Sequence, residues 1–150
     1  MNAITQLKYT DLPFLLQERV EGSVIKPSIS VFGLGYVGAV SIGCMSSLGH
    51  HMVGVDVAAD KIASIQAGKS PMLEAYLDDL LNSGVELGLV TATDDAIQAV
   101  LDTDMSFVSV GTPTAADGGC DLSHVRAVSR IIGEALRQKD DYHLVVMRCS

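Results

Sequence analysis

Residues 29–56 read ISVFGLGYVGAVSIGCMSSLGHHMVGVD, and this stretch decides the fold. Ile29, Val31 and Phe32 suit a buried strand, and Gly33, Gly35 and Gly38 supply the G-x-G-x-x-G spacing where a strand turns into a helix. In such a turn the first glycine permits the tight bend. The second lets the backbone approach a pyrophosphate with no Cβ in the way, and the third lets the helix pack closely on the strand. The pyrophosphate then sits on free N–H groups at the positive end of the helix. A second apolar strand, His51 to Val55, ends at Asp56, where a carboxylate can accept hydrogen bonds from the adenosine ribose hydroxyls and repel a 2′-phosphate, favouring NAD over NADP. Packing glycines and a turn-capping Asp without a ligand are the alternative. Strand, glycines, helix and acid together in this order favour a dinucleotide-binding unit.

Composition narrows the class. The chain has 150 residues, 48% of them hydrophobic, and a net charge of −8. That length suits one domain with a real core and is short for a complete two-domain enzyme. No stretch approaches the roughly 18 uninterrupted apolar residues of a membrane span. With no Lys/Arg cluster, binding to nucleic acid or to an anionic membrane has no electrostatic basis, so a phosphate ligand must be held locally by backbone N–H groups. Cys44, Cys120 and Cys149 are too few and too far apart for a zinc site or a disulfide framework, which suits a reducing cytoplasm. The N-terminus carries Asp11, Glu18 and Glu21 and lacks a basic region followed by an apolar core, so neither a secretory signal nor a transit peptide fits.

Residues 1–27 form an extension in which Asp11 can cap a short helix, with Pro13 in its first turn, Phe14, Leu15 and Val20 on its apolar side and Gly22 as its stop. The fold proper is expected over residues 28–150, as a Rossmann-like, doubly wound parallel α/β sheet. A helix from Tyr36 to Leu48, apolar nearly all round, should be buried against the sheet, with Cys44 as a small core residue. Asp60-Lys61-Ile62 begins a short helix ending near Gly68, and Lys61 could reach a cofactor's ribose or phosphate or simply be solvated. Gly68-Lys69-Ser70-Pro71 breaks the chain. Leu73, Leu77, Leu80 and Leu81 then predict an amphipathic helix from Met72 to Ser83, with Glu74 in its first turn. Leu89 to Thr93 reads as a strand, Asp94 as the cap of a helix through Leu101, and Met105 to Val110 as a strong strand running into Gly111-Thr112-Pro113. Thr112 then lies on the same sheet rim as Gly33 and Asp56, as a cofactor contact or as part of a plain turn. A polar loop from Ala115 to Asp121 leads to a long helix, Leu122 to Gln138, and to a last strand, Tyr142 to Met147. His50, His51, His124 and His143 are scattered with no partner set for a triad or a metal, so no catalytic or metal-ligating residue is expected.

The motifs FGLGYVGAV, GVD, GKSP, FVSVGTP and DLSHV, in this order, resemble the NAD-binding domain of the nucleotide-sugar dehydrogenase family, which includes the UDP-glucose and GDP-mannose dehydrogenases. Ala39 and the Gly68–Pro71 turn resemble the GDP-mannose branch more than the UDP-glucose branch. The resemblance implies NAD contacts at Gly33, Gly35, Tyr36, Val37, Gly38, Asp56, Lys61 and Thr112. It also implies one at Ser150, which ends an Arg-Cys-Ser run where the family has Arg-Ser-Thr. Leu73-Glu74-Ala75-Tyr76-Leu77 stands where the family usually has Glu-Pro-Gly-Leu. The family oxidises a sugar C6 alcohol to a carboxylate by two hydride transfers to two NAD molecules, through a cysteine thiohemiacetal in a later domain. Its members are homo-oligomers. The catalytic and sugar-nucleotide domains are therefore expected to lie outside these 150 residues, and a sugar nucleotide to bind only together with them.

Overall fold

The structure, a computed structural model, describes residues 26–72, 76–116 and 118–149. The expected helix in the N-terminal extension, Glu74 and Ser150 lie outside the described residues.

Five four-residue strands alternate with helices: β1 (Ile29–Phe32), α1 (Tyr36–Ser47), β2 (Met52–Val55), α2 (Ala59–Gln66), α3 (Leu77–Glu86), β3 (Val90–Thr93), α4 (Ala96–Leu101), β4 (Met105–Val108), α5 (Ser123–Leu136) and β5 (Leu144–Met147). All pairings are parallel, in the order β3-β2-β1-β4-β5. The chain first winds one way from β1, then returns to β1's other side with β4. That reversal opens a crevice at the carboxyl ends of β1 and β4, where doubly wound sheets bind ligands. The register is level: Phe32 stands opposite both Val55 and Val108, and Val108 opposite Met147. The residues that follow these strands therefore emerge along one rim.

Two cores separate the faces of the sheet. Ile29 and Val31 pack with Leu34, Ile42, Met52, Ile65 and Leu81 under α1, α2 and α3. Phe32, Val55 and Val108 pack with Val100, Ile132 and Ala135 under α4 and α5. A strand buried on both faces explains the continuous apolar runs in the sequence.

Several local expectations are corrected. The helix expected from Met72 begins at Leu77. Tyr76 is left-handed, with φ 67°, and cannot belong to a right-handed helix, so the helix starts after it. Asp78 and Asp79 occupy the first turn, and Asp78 accepts a hydrogen bond from Ser70 N at 2.6 Å, tying the Gly68–Pro71 turn to α3. Asp95, not Asp94, caps α4, accepting from Gln98 N at 3.0 Å. Cys44 is exposed instead of lying in the core. Because α1 is apolar all round, its pattern could not assign an inner face; Ala39, Ile42 and Gly43 are the residues turned inward. β5 is an open edge, with Leu144 and Met147 exposed.

A polar network closes the amino end of the sheet. The Ser30 and Ser106 hydroxyls lie 2.9 Å apart, and Ser106 Oγ is 2.8 Å from His143 Nε2. His143 Nδ1 is 2.9 Å from the Thr103 carbonyl. A carbonyl only accepts, so Nδ1 carries the ring proton and the neutral Nε2 accepts from Ser106. Lys139 Nζ donates to the carbonyls of Val100, Leu101 and Thr103, neutralising the negative end of α4. Burial and the neighbouring Lys139 charge push the His143 pKa down, against the opposing pull of the Thr103 bond and Asp104.

That shift makes stability depend on pH. Between the lowered folded pKa and the unfolded value near 6.5, the unfolded chain binds a proton that the folded one refuses, so stability is complete above that window and falls as pH drops through it. The melting temperature should therefore fall from about pH 7.5 to pH 5.5, and His143→Gln, which keeps one donor and one acceptor but cannot titrate, should flatten that dependence. Calorimetry across the range checks this; equal slopes for the two proteins would refute it.

Candidate functional site

The rim of the crevice is built around the glycine turn. Gly33 has φ 95°, and a Cβ there would lie 3.0 Å from the Ser109 carbonyl oxygen on the neighbouring segment. Gly38 is more constrained still: its Cβ would stand 1.9 Å from the Gly33 carbonyl oxygen. The first turn of α1 therefore lies directly on the strand exit. Gly35 differs from both. Its φ of −79° suits any residue, and a Cβ there would meet no atom of the chain within 4 Å. Glycine here leaves unfilled the space in front of the turn that a Cβ would otherwise take.

Gly35 is also the N-cap of α1 and has no side chain to cap the helix, and no acidic residue stands in the first turn. The leading N–H groups of a helix have no intrahelical acceptors, so this end presents donors and the positive pole of a 12-residue helix to the crevice. Tyr36 and Val37 flank it, 52% and 36% exposed.

Asp56 connects the turn to the next strand. One carboxylate oxygen accepts from Leu34 N at 2.8 Å, inside the glycine turn, and the other from Ala58 N at 2.9 Å. Lys61, on α2, brings its Nζ to 3.6 Å from Asp56 Oδ2. Burial tends to raise the Asp56 pKa, but the Ala58 and Leu34 N–H groups and the Lys61 ammonium outweigh it and hold the carboxyl below the ordinary value. Asp56 is thus a carboxylate at neutral pH. Its oxygens offer about four acceptor directions, so two N–H bonds leave lone pairs for further donors.

Of the residues singled out from the sequence, Gly33, Gly35, Tyr36, Val37, Gly38, Asp56 and Lys61 form one contiguous group. Thr112, half-buried, lies on the same rim, in the segment leaving β4. His124 Nδ1 donates to the Gly111 carbonyl at 3.2 Å, holding that segment against the start of α5. Beyond β5, Arg148 N donates to the Val108 carbonyl at 2.8 Å and Cys149 Sγ approaches the same oxygen at 3.4 Å, so the chain follows the rim towards Ser150.

Two residues escaped the sequence reading. Ser109 Oγ lies 3.1 Å from the carbonyls of both Phe32 and Gly33, bracing the glycine turn from β4. A serine interrupting the apolar run FVSV was the available signal. Val57, directly after Asp56, is 98% exposed, an apolar side chain standing in solvent beside the acid.

Known proteins share this fold. Residues 27–150 match the family model described as the UDP-glucose/GDP-mannose dehydrogenase family, NAD binding domain. The chain is 50% identical over 122 residues to GDP-mannose 6-dehydrogenase of Pseudomonas aeruginosa, covering 81% of this chain and 28% of the relative. Among solved structures, a ternary complex of GDP-mannose dehydrogenase from Pseudomonas aeruginosa superposes with a TM-score of 0.80 at 50% identity, over 81% of this chain and 28% of that one. A UDP-glucose dehydrogenase from Pyrobaculum islandicum superposes with a TM-score of 0.82 at 37% identity, over 87% and 30%. The chain therefore spans less than a third of the length of these relatives.

The glycines divide by what they touch, and substitution should separate them. Gly38→Ala should cost about 3 kcal/mol or more, because backbone must move to admit the methyl group. Gly35→Ala, at a helix N-cap with open space, should cost no more than about 1 kcal/mol. Urea denaturation of the ligand-free chain compares them, and similar losses for both would contradict the assigned roles.

Proposed function

The chain belongs to the UDP-glucose/GDP-mannose dehydrogenase family as its NAD-binding domain, and from that premise we propose that it serves a GDP-mannose 6-dehydrogenase, which oxidises GDP-mannose to GDP-mannuronate. The observation that carries the cofactor site is Gly35, with open space in front of an uncapped helix end. The 50% identity to the GDP-mannose enzyme supports the substrate. UDP-glucose is the second reading, supported by the 38% identity over 124 residues to a UDP-glucose 6-dehydrogenase of Haloferax volcanii.

In this proposal residues 28–150 form the cofactor domain and residues 1–27 an extension. The open N–H groups at Tyr36, Val37 and Gly38 receive the pyrophosphate, and Gly33 and Gly38 hold the turn that aims them. Asp56 accepts from the ribose hydroxyls, with Leu34 N and Ala58 N fixing the carboxylate and Lys61 reducing the cost of its charge. The exposed Val57 side chain offers an apolar surface to the adenine ring. Thr112 and Ser150 contribute hydroxyls on the β4 and β5 sides of the crevice. NAD held by these residues would supply the hydride acceptor for oxidation at the sugar C6 carbon. The cysteine and the sugar-nucleotide contacts belong to further domains of the complete enzyme, a homo-oligomer of the cytoplasm whose uronate product feeds a polysaccharide such as alginate. Among the described residues no helix is long and apolar enough to cross a membrane.

The 150-residue chain should bind NAD without reducing it in the presence of GDP-mannose or UDP-glucose, because near-attack geometry requires groups that these residues do not supply. NAD at about 100 times its dissociation constant should stabilise the fold by roughly 2.7 kcal/mol, read as a rise in melting temperature, while NADH absorbance stays flat. Asp56→Ala should weaken NAD binding by about 1.5–3 kcal/mol and narrow the preference over NADP. The absence of any thermal shift at millimolar NAD would refute the cofactor site, and unchanged affinity in the variant would remove Asp56 from it. In the complete enzyme, NADH formation with UDP-glucose but not GDP-mannose would exchange the two substrate readings.

A further inference from the structure

The glycine turn has a freedom that the fold must remove. Gly33 sits at φ 95°, and a residue without a Cβ rotates about its backbone bonds more freely than any other. The peptide that joins Gly33 to Leu34 is planar, so its carbonyl and its N–H turn together as one rigid unit. Rotation of that plane would carry the Leu34 N–H away from Asp56, whose Oδ2 it reaches at 2.8 Å.

Ser109, the first residue after β4, holds the other end of the plane. Its N–H donates to the Phe32 carbonyl at 2.9 Å, and its Oγ lies 3.1 Å from the carbonyls of both Phe32 and Gly33. A hydroxyl has one proton to give. The Phe32 carbonyl already accepts from the Ser109 backbone, so the hydroxyl proton is best used on Gly33. The same Oγ would stand 3.0 Å from a Cβ on Gly38, and the Gly33 carbonyl oxygen 1.9 Å from it. Carbonyl, hydroxyl and the first turn of α1 are thus pressed together. The Gly33–Leu34 peptide is clamped from both neighbours of β1: its carbonyl by the residue that follows β4, its N–H by the acid that follows β2.

We propose that Ser109 is a positioning residue for the cofactor: through the Gly33–Leu34 peptide its hydroxyl fixes the direction of the Asp56 carboxylate, and so sets how well the site tells a free ribose 2′-hydroxyl from a 2′-phosphate. The inference rests on the NAD reading of the site. Ala58 N holds the other Asp56 oxygen at 2.9 Å, so the carboxylate keeps one anchor when the Leu34 bond slackens and pivots about it. A pivoted carboxylate is a poorer acceptor for the 2′-hydroxyl and a weaker obstacle to a 2′-phosphate. Loss of the Ser109 hydroxyl should therefore cost NAD more than NADP, which a general loosening of the fold would not do.

Ser109→Ala removes the donor and leaves the apolar contacts in place. In the ligand-free chain the Leu34 amide should exchange with deuterium about fivefold faster in this variant than in the parent, the change expected from one hydrogen bond, with the Val31 amide of β1 as the reference in the same NMR spectra. Titration calorimetry should show NAD affinity lowered about fivefold and NADP affinity lowered less, so that the NAD-over-NADP ratio falls by at least about twofold. Ser109→Thr keeps the hydroxyl and should hold the parent ratio. Ser109→Cys, which puts a weaker donor in the same place, gives the same comparison should alanine prevent folding. Equal weakening of both nucleotides would overturn the proposal, as would unchanged Leu34 exchange or a threonine variant with the alanine ratio. A parent chain that binds neither nucleotide would refute the NAD reading and the proposal with it, and the Leu34 exchange, measured without ligand, separates the two failures.

Discussion

The contact on which the rest of this structure depends is the one between Gly38 and Gly33, where a Cβ would stand 1.9 Å from a carbonyl oxygen. With hydrogen atoms alone on both residues, α1 starts directly on the exit of β1 and its axis aims at the crevice beside β4. The Leu34 N–H, held in the turn, is then within reach of Asp56, directly after β2. One close approach thereby sets the direction of the helix, the open donors at its end and the position of the acid.

The glycine turn meets an electrostatic problem with backbone groups and not with a cluster of basic side chains. The chain carries a net charge of −8, yet a dinucleotide is itself an anion. A helix end and its unpaired N–H groups supply positive potential over a few ångströms, where it acts on a phosphate and is not cancelled by distant carboxylates screened by salt. Asp56 keeps its negative charge beside the turn, held ionised by the Leu34 and Ala58 N–H groups and the Lys61 ammonium. Fixed backbone donors require no rearrangement when a ligand arrives.

The two ends of the sheet have opposite characters. At the amino end, Ser30, Thr103, Ser106, His143 and Lys139 satisfy one another and the end of α4, and no buried polar side-chain atom among the described residues lacks a partner. A closed polar network of this kind rigidifies the strands it spans. At the carboxyl end the turns leave donors and acceptors open, and that is where ligand chemistry can occur. Rigidity at one end supports the precise rim at the other.

The sequence by itself determined the parallel α/β sheet, the glycine turn and its acid, because these rest on local demands: strand periodicity, turns that only glycine tolerates, and an acid ending the second strand. Seven of the residues it singled out, from Gly33 to Lys61, stand together for that reason. It could not orient α1, since a helix apolar on every side has no pattern to mark its inner face, and Cys44 proved to be exposed. Nor could leucine spacing show that Tyr76 is left-handed and delays α3 to Leu77, because side-chain periodicity is blind to backbone handedness. Asp94 and Asp95 are equally good caps by type, and only the path of the chain out of β3 gave the role to Asp95. The bracing of the glycine turn by Ser109 and the polar network around His143 join residues more than 30 positions apart. Such contacts exist only once the strands have paired in register, so tertiary structure alone decided them.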